Sequence, residues 1–308
     1  MRRLTHTTHN AFLRALQISK LEVVGLVEGK KTDRYFYGRV CSTVCSAVKR
    51  KYRVAPAYEI PGKAGGKAAL LSFHEFLRLN GQLVSSFKGQ KTIFVFFLDK
   101  DIDDLLRKTV SSDHIVYTRT YDVEGEIVAA SSVARAIASS ASLDENDLIE
   151  RIVDSADWCR RCAAAWKDWI VICIFCHKYG LQGCGSFRQP SQINQKLTGP
   201  VDNAKLTQRL LKLKAISGAA ESRFERRLGA VRRFVEATFH KGLEQRIFKG
   251  KWFLYFAASE ATVVTGDTLF DKAGLDAGFF SAASVTIDYS GTMVSYFRER
   301  VSHLIEAN

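Results

Sequence analysis

Residues Leu21–Asp33 read LEVVGLVEGKKTD. A valine-rich run, Glu22–Val27, has the pattern of a strand buried on both faces of a sheet. It ends in Glu28 and Gly29, and Lys30, Lys31 and Thr32 separate these from Asp33. Ligand sites of open α/β sheets lie beyond the carboxyl ends of the strands. A carboxylate placed there reads as half of a metal site. Asp33 then opens a helix whose apolar positions, Tyr35, Phe36, Val40, Val44 and Val48, step by three or four. Cys41 and Cys45 lie near that stripe and read as small core residues.

Working outward, a second strand is expected over Val54–Ile60, followed by the loop PGKAGGKAALL. The glycine and lysine spacing from Gly62 to Lys67 is one residue short of a P-loop, and Ala68 replaces its hydroxyl. A nucleotide triphosphatase is therefore not expected. A glycine-rich helix start presents N–H groups and the positive end of a dipole, so Lys63 and Lys67 are candidate phosphate contacts, with a plain structural turn as the alternative. The next helix carries Leu70, Leu71, Phe73, Phe76 and Leu77.

The plainest strand is IFVFFL, Ile93–Leu98, which ends in DKDIDD. Asp99 and Asp101 alternate across the strand end with Lys100 between them, so their side chains are expected to point the same way and share a cation. Oxygen donors of this kind suit Mg²⁺. Asp103 and Asp104 are either further ligands or the start of a helix. A fourth strand, Ile115–Tyr117, leads into TRTYDVEGEIV, where Asp122, Glu124 and Glu126 add carboxylates; Glu124 is the candidate ligand among them.

Glu28-Gly29 after one strand and Asp99-x-Asp101 after a later one resemble the TOPRIM fold of topoisomerases, primases and overcoming-lysogenization-defect nucleases. VEGKKTDRYFY, FFLDKDIDD, YDVEGEI and the late KGKWFLYF are similar to the TOPRIM-like nuclease effectors related to those nucleases, including the effectors of PARIS anti-phage systems. The resemblance covers residues 20–130 and a short block near Lys249–Phe256. It implies an α/β fold with a TOPRIM-like parallel sheet flanked by helices over 21–130, after a helical lead-in over 1–20. A mainly helical, basic region follows over 131–308.

The resemblance further implies metal-dependent phosphodiester hydrolysis. Glu28, Asp99, Asp101 and Glu124 would hold one or two Mg²⁺, or Mn²⁺, and Lys251 would meet a phosphate or developing charge. It also implies an ABC-type ATPase partner and a homodimer in anti-phage defence, with RNA such as tRNA, or DNA, as substrate. The extra residue between Glu28 and Asp33 departs from the family spacing, leaving Asp33 first a helix cap and second a ligand. A catalytically silent, nucleic-acid-binding module is the competing expectation. A topoisomerase or primase is the least expected class, because the first needs a nucleophilic tyrosine on a strand-passing domain and the second a template-binding domain, and neither is visible in these 308 residues.

Composition agrees with a polyanionic partner. The 308 residues carry a net charge of +13 and a pI near 9.4, which favours nucleic acid or an anionic membrane surface, with a basic surface serving only solubility as the alternative. From Lys205 to Lys251 there are 13 Lys/Arg against 4 Glu. Within this region Phe224, Leu228, Val231 and Val235 mark a buried helix face, so Arg223, Arg226 and Arg233 fall outward as phosphate contacts or as a solvated face. Lys30 and Lys31 join Lys63 and Lys67 in a phosphate-facing rim. No apolar run approaches the ~18 residues of a membrane span, and MRRLTHTTHN has no signal-peptide core. The 7 cysteines then point to a reducing, cytoplasmic setting.

Cys159, Cys162, Cys173 and Cys176, with His177 and Cys184, have zinc-like spacing. On one helix over 156–179, however, Cys162 and Cys173 would stand roughly 16 Å apart, so core cysteines are expected. Gly180–Asn203 reads as irregular. Trp252–Ala257 is strand or core helix, and a terminal helix is expected over Thr292–Ile305, with Met293, Tyr296, Phe297, Val301 and Leu304 on its apolar side.

Overall fold

The computed structural model describes residues 8–62, 65–188, 192–194, 198–266, 272–275 and 278–308. Its strands are β1 (Val23–Val27), β2 (Tyr52–Pro56), β3 (Val84–Phe87), β4 (Gln90–Leu98) and β5 (Ile115–Tyr117). The helices begin with α1 (His9–Ile18), α2 (Thr32–Ala47), α3 (Gly66–Leu79), α4 (Val123–Ala130), α5 (Val133–Ala141), α6 (Glu145–Ile149) and α7 (Ser155–Ala165). They continue with α8 (Lys167–Lys178), α9 (Asn203–Ser217), α10 (Glu221–His240), α11 (Phe253–Thr265), α12 (Lys272–Leu275), α13 (Phe279–Val285) and α14 (Ser295–Glu306). Two compact units result: Met1–Lys100, Lys108–Thr118 and Asp288–Asn308 form the first; Asp101–Arg107 and Arg119–Ile287 form the second. These limits do not coincide with the expected boundary at residue 130.

The first unit is α/β. Its sheet runs β2-β1-β4-β3, with β5 also pairing β4. β1 pairs in parallel with β2 and β4, and β5 is parallel to β4. The expected parallel sheet holds for these three pairings; β3 departs from it, pairing antiparallel with the first half of β4. A two-residue hairpin, Lys88-Gly89, makes that reversal with φ of 49° and 81°. Both central residues have positive φ, as in a type I′ turn matched to strand twist. Strand β3, VSSF, is too short and polar to announce itself by periodicity.

Both faces of the sheet are covered, which is why β1 and β4 read as unbroken apolar runs. On one face Val24, Leu26, Phe94, Phe96 and Leu98 pack with Phe12, Leu13 and Leu16 of α1 and Leu70, Phe73 and Leu77 of α3. Helix α1 is thus part of this core rather than a separate lead-in, although its Ile18 is exposed. On the other face Tyr37 of α2 stacks on Phe97 at 4.2 Å, and Phe297 of α14 meets the rings of Phe36 and Tyr37 at 5.5 and 5.6 Å. The terminal helix therefore belongs to the sheet's covering layer. β2, at the sheet edge, ends at Pro56, where a residue without an N–H is tolerated. Ala57–Glu59 is a 3₁₀ turn, so the expected strand to Ile60 is shortened.

The second unit is helical. The expected long helix over 156–179 is two helices, α7 and α8, separated at Trp166. That break removes the premise of the distance argument between the two cysteine pairs. Cys159, Cys162, Cys173, Cys176 and Cys184 are buried free thiols, and burial raises the thiol pKa of Cys159, Cys162 and Cys173. Trp166 sits among Trp252, Tyr255 and Phe256, with ring centres 5.2–5.3 Å away. Its indole N–H donates to Gly199 O at 2.8 Å. The unassigned run after Lys251 is α11, entered through the 3₁₀ turn Gly250–Trp252.

Candidate functional site

In the first unit the chain goes from β1 out to β2, then returns to β4 on the opposite side of β1. The two central parallel strands therefore flank a topological switch point, the crevice where such sheets bind ligands. Glu28 follows the last residue of β1 and Asp99 the last residue of β4. The Asp99 N–H donates to Glu28 Oε1 at 2.9 Å. Register explains the meeting, since Val27 stands opposite Phe97.

The turn after Glu28 is tightly built. Gly29 N–H donates to Asp33 Oδ2 at 2.8 Å, and a Cβ on Gly29 would lie 2.8 Å from the Asp33 Cγ. Asp33 is buried, inside the first turn of α2, while Lys31 occupies the cap position. Its expected capping role is thereby corrected: it ties down the turn ahead of the helix. The start of α3 approaches the same carboxylate, with a Cβ position on Gly66 lying 3.8 Å from Glu28 Oε2. Lys30 lies over the Tyr58 ring at 4.8 Å, Lys31 is exposed and Lys67 half-buried. Lys63 lies outside the described residues.

β4 ends at Leu98, and Asp101 has φ of 50°. The alternation expected to align Asp99 with Asp101 needs extended backbone, so it is lost in this left-handed turn. Asp99 and Asp101 also belong to different units. Residues 101–107 form turns rather than a helix, and Asp104 pairs with Arg246 at 2.5 Å.

In the second unit Asp122 caps α4. Its Oδ1 accepts N–H groups from Gly125 at 3.0 Å and Gly250 at 2.9 Å. Asp122 is only 2% exposed, and its Oδ2 is buried without a hydrogen-bond partner. Burial, then the neighbouring Glu124, pushes its carboxyl well above the usual carboxylate range. Glu124 is buried and pairs with the half-exposed Lys251, Nζ to Oε1 at 3.4 Å. YDVEGEI and KGKWFLYF thus meet within one unit. Glu126, by contrast, accepts the N–H groups of Arg119 at 2.5 Å and Thr120 at 2.7 Å, which explains it as a loop clasp. Asp122 and Gly250 were not among the candidates from sequence; an Asp before a helix start signals a cap, but its second donor comes from 128 residues away.

On α10, Phe224, Leu228, Val231 and Val235 are buried, while Arg223, Arg226 and Arg233 are exposed, as their spacing predicts. Among the described residues no group of three or more His, Cys, Asp or Glu side chains is arranged to hold a metal ion. Within the first unit, the oxygen donors at the switch point have the hard-ligand chemistry that suits Mg²⁺. No described helix is long and apolar enough to cross a membrane. No protein-family model matches the chain, and a search of curated proteins finds no match.

Proposed function

We propose that this protein is a Mg²⁺-dependent nuclease of TOPRIM-like type that hydrolyses phosphodiester bonds. The observation that carries the reading is the placement of Glu28 and Asp99 at the ends of neighbouring parallel strands, at the switch point. Bound Mg²⁺ would neutralise the carboxylates and polarise a phosphodiester. Glu28 and Asp99 are the proposed ligands from the first unit, and the resemblance adds Asp101 and Glu124. Mn²⁺ is the alternative ion. Lys251, ion-paired with Glu124, offers a point charge for phosphate. Lys30, Lys31 and Lys67 are proposed to meet the backbone of the nucleic acid, as are Arg223, Arg226 and Arg233. A role as a toxic effector in anti-phage defence, under an ABC-type ATPase in the cytoplasm, follows the same resemblance.

The test is incubation with plasmid, total RNA and tRNA, with and without Mg²⁺. Wild type should cleave at least one substrate only with the metal. Glu28→Gln, which keeps the acceptor for Asp99 N–H, should lower the rate about 100-fold or more while melting like wild type. An unchanged rate in purified variant protein would sink the reading. Binding without turnover by the wild type would instead favour the silent nucleic-acid-binding module that the exposed α10 arginines also suit.

A further inference from the structure

The link between Asp122 and the Lys249-Gly250-Lys251 turn is not explained by a metal-ligand role. Asp122 sits at the N-cap of α4, where a carboxylate needs only the helix's own free N–H groups. Here the same oxygen, Oδ1, takes both the helix N–H of Gly125 and the N–H of Gly250. The fit leaves no room for a side chain at Gly250. A Cβ there would lie 2.6 Å from the Glu124 carbonyl carbon and would also overlap Gly125 N and Asp122 Oδ1. The turn is therefore held backbone to backbone against the first residues of α4, with one carboxylate oxygen as the shared acceptor. Glu124 lies in this first helical turn, and Lys251 is the residue after Gly250. The consequence is the 3.4 Å pair between Lys251 Nζ and Glu124 Oε1, between a half-exposed lysine and a buried glutamate.

A lysine on its own is a poor choice for a fixed charge, because its flexible four-carbon stem must give up rotamer freedom to hold one position. Fixing the backbone beneath it and pairing its head removes much of that freedom before any substrate arrives. Pre-positioned charge is more useful to a reaction than charge that must be gathered.

We propose that Asp122 is a positioning residue: by clasping Gly250 N–H and Gly125 N–H on one oxygen, it locks the Lys249-Gly250-Lys251 turn to α4 and sets Lys251 for its phosphate. The proposal rests on the nuclease reading for what Lys251 does, and on the contacts of Asp122 for how the backbone beneath Lys251 is held. Asp122 itself touches no substrate and acts through Lys251.

The experiment compares Asp122→Ala, Asp122→Asn, Lys251→Ala and the double variant Asp122→Ala/Lys251→Ala in the full chain. Hydrogen exchange read by mass spectrometry tests the clasp without any activity. In Asp122→Ala the Gly250 amide should exchange at least about tenfold faster, the equivalent of losing about 1.4 kcal/mol of protection. In Asp122→Asn, whose amide oxygen still accepts both N–H groups, exchange should stay near wild type.

In cleavage assays Asp122→Ala should lower kcat about 100-fold with KM little changed, and Asp122→Asn should restore most of the loss. The double variant should be no slower than Lys251→Ala alone, because both changes disable one unit. Unchanged Gly250 exchange in Asp122→Ala overturns the clasp. Additive losses in the double variant overturn action through Lys251. A collapse of kcat in a folded Asp122→Asn shows that the charge of Asp122, not its acceptor oxygen, is needed, and also overturns the proposal. If Asp122→Ala fails to fold, the exchange and kinetics of Asp122→Asn decide. If wild type cleaves nothing, the nuclease reading falls, and the exchange measurement still judges the clasp separately.

Discussion

Gly29 is the residue most constrained by its neighbour. Its N–H feeds the Asp33 carboxylate, and the space where a side chain would stand is taken by that carboxylate. Gly29→Ala must push Asp33 aside or displace the turn that carries Glu28. A cost of about 1–3 kcal/mol is expected for such an overpacked site, read as a lower urea midpoint with an unchanged slope. Any cleavage activity should fall with it, since Glu28 is the next residue. The pairing was visible in sequence only as Glu-Gly followed by an acid; that Asp33 would turn back to the loop rather than cap the helix depends on backbone geometry that spacing does not encode. Asp101 teaches the same lesson in reverse. Its alternation with Asp99 follows from strand geometry, but the strand stops at Leu98 and a left-handed residue ends the alternation.

At the scale of elements, the strongest periodic signals were legible. β1 and β4 read as apolar runs because both faces of the sheet are covered, and α3 and α10 show buried stripes; in α2 Phe36, Val40 and Val44 are buried as expected, whereas Tyr35 and Val48 are exposed. Partnership was less legible: α14 has an apolar side in sequence, and the structure assigns that side to α2 and β4. Phe297 is fully buried there, whereas Met293, just before the helix, is 47% exposed. Phe297→Ala should therefore cost about 3–5 kcal/mol, while Met293→Ala should stay within about 0.5 kcal/mol. Chemical denaturation of the two variants separates a packed terminal helix from an appended one. Short or polar elements were missed for a plain reason: β3 takes its stability from pairing with β4, not from a pattern of its own.

For the molecule as a whole, the charge balance of +13 predicts affinity for nucleic acid that falls steeply with salt. The logarithm of affinity should decline linearly with the logarithm of salt concentration. Replacing Arg223, Arg226 and Arg233 together with glutamine should reduce the slope's magnitude by about 2 to 3, as measured by fluorescence anisotropy on a labelled oligonucleotide. A slope unchanged by the triple variant would move the binding surface elsewhere.

Sequence by itself determined the buried strands, the carboxylates that follow them, the burial of Cys41 and Cys45 beside the α2 stripe and the basic character, because burial and charge are properties of local pattern and composition. The tertiary structure alone decided that the chain returns past β1 to set Glu28 beside Asp99, and that Asp122 holds Gly250. Those contacts join residues 71 and 128 positions apart. Hydrogen bonds across such separations depend on how strands order and turns dock, and no periodicity along the chain carries that information.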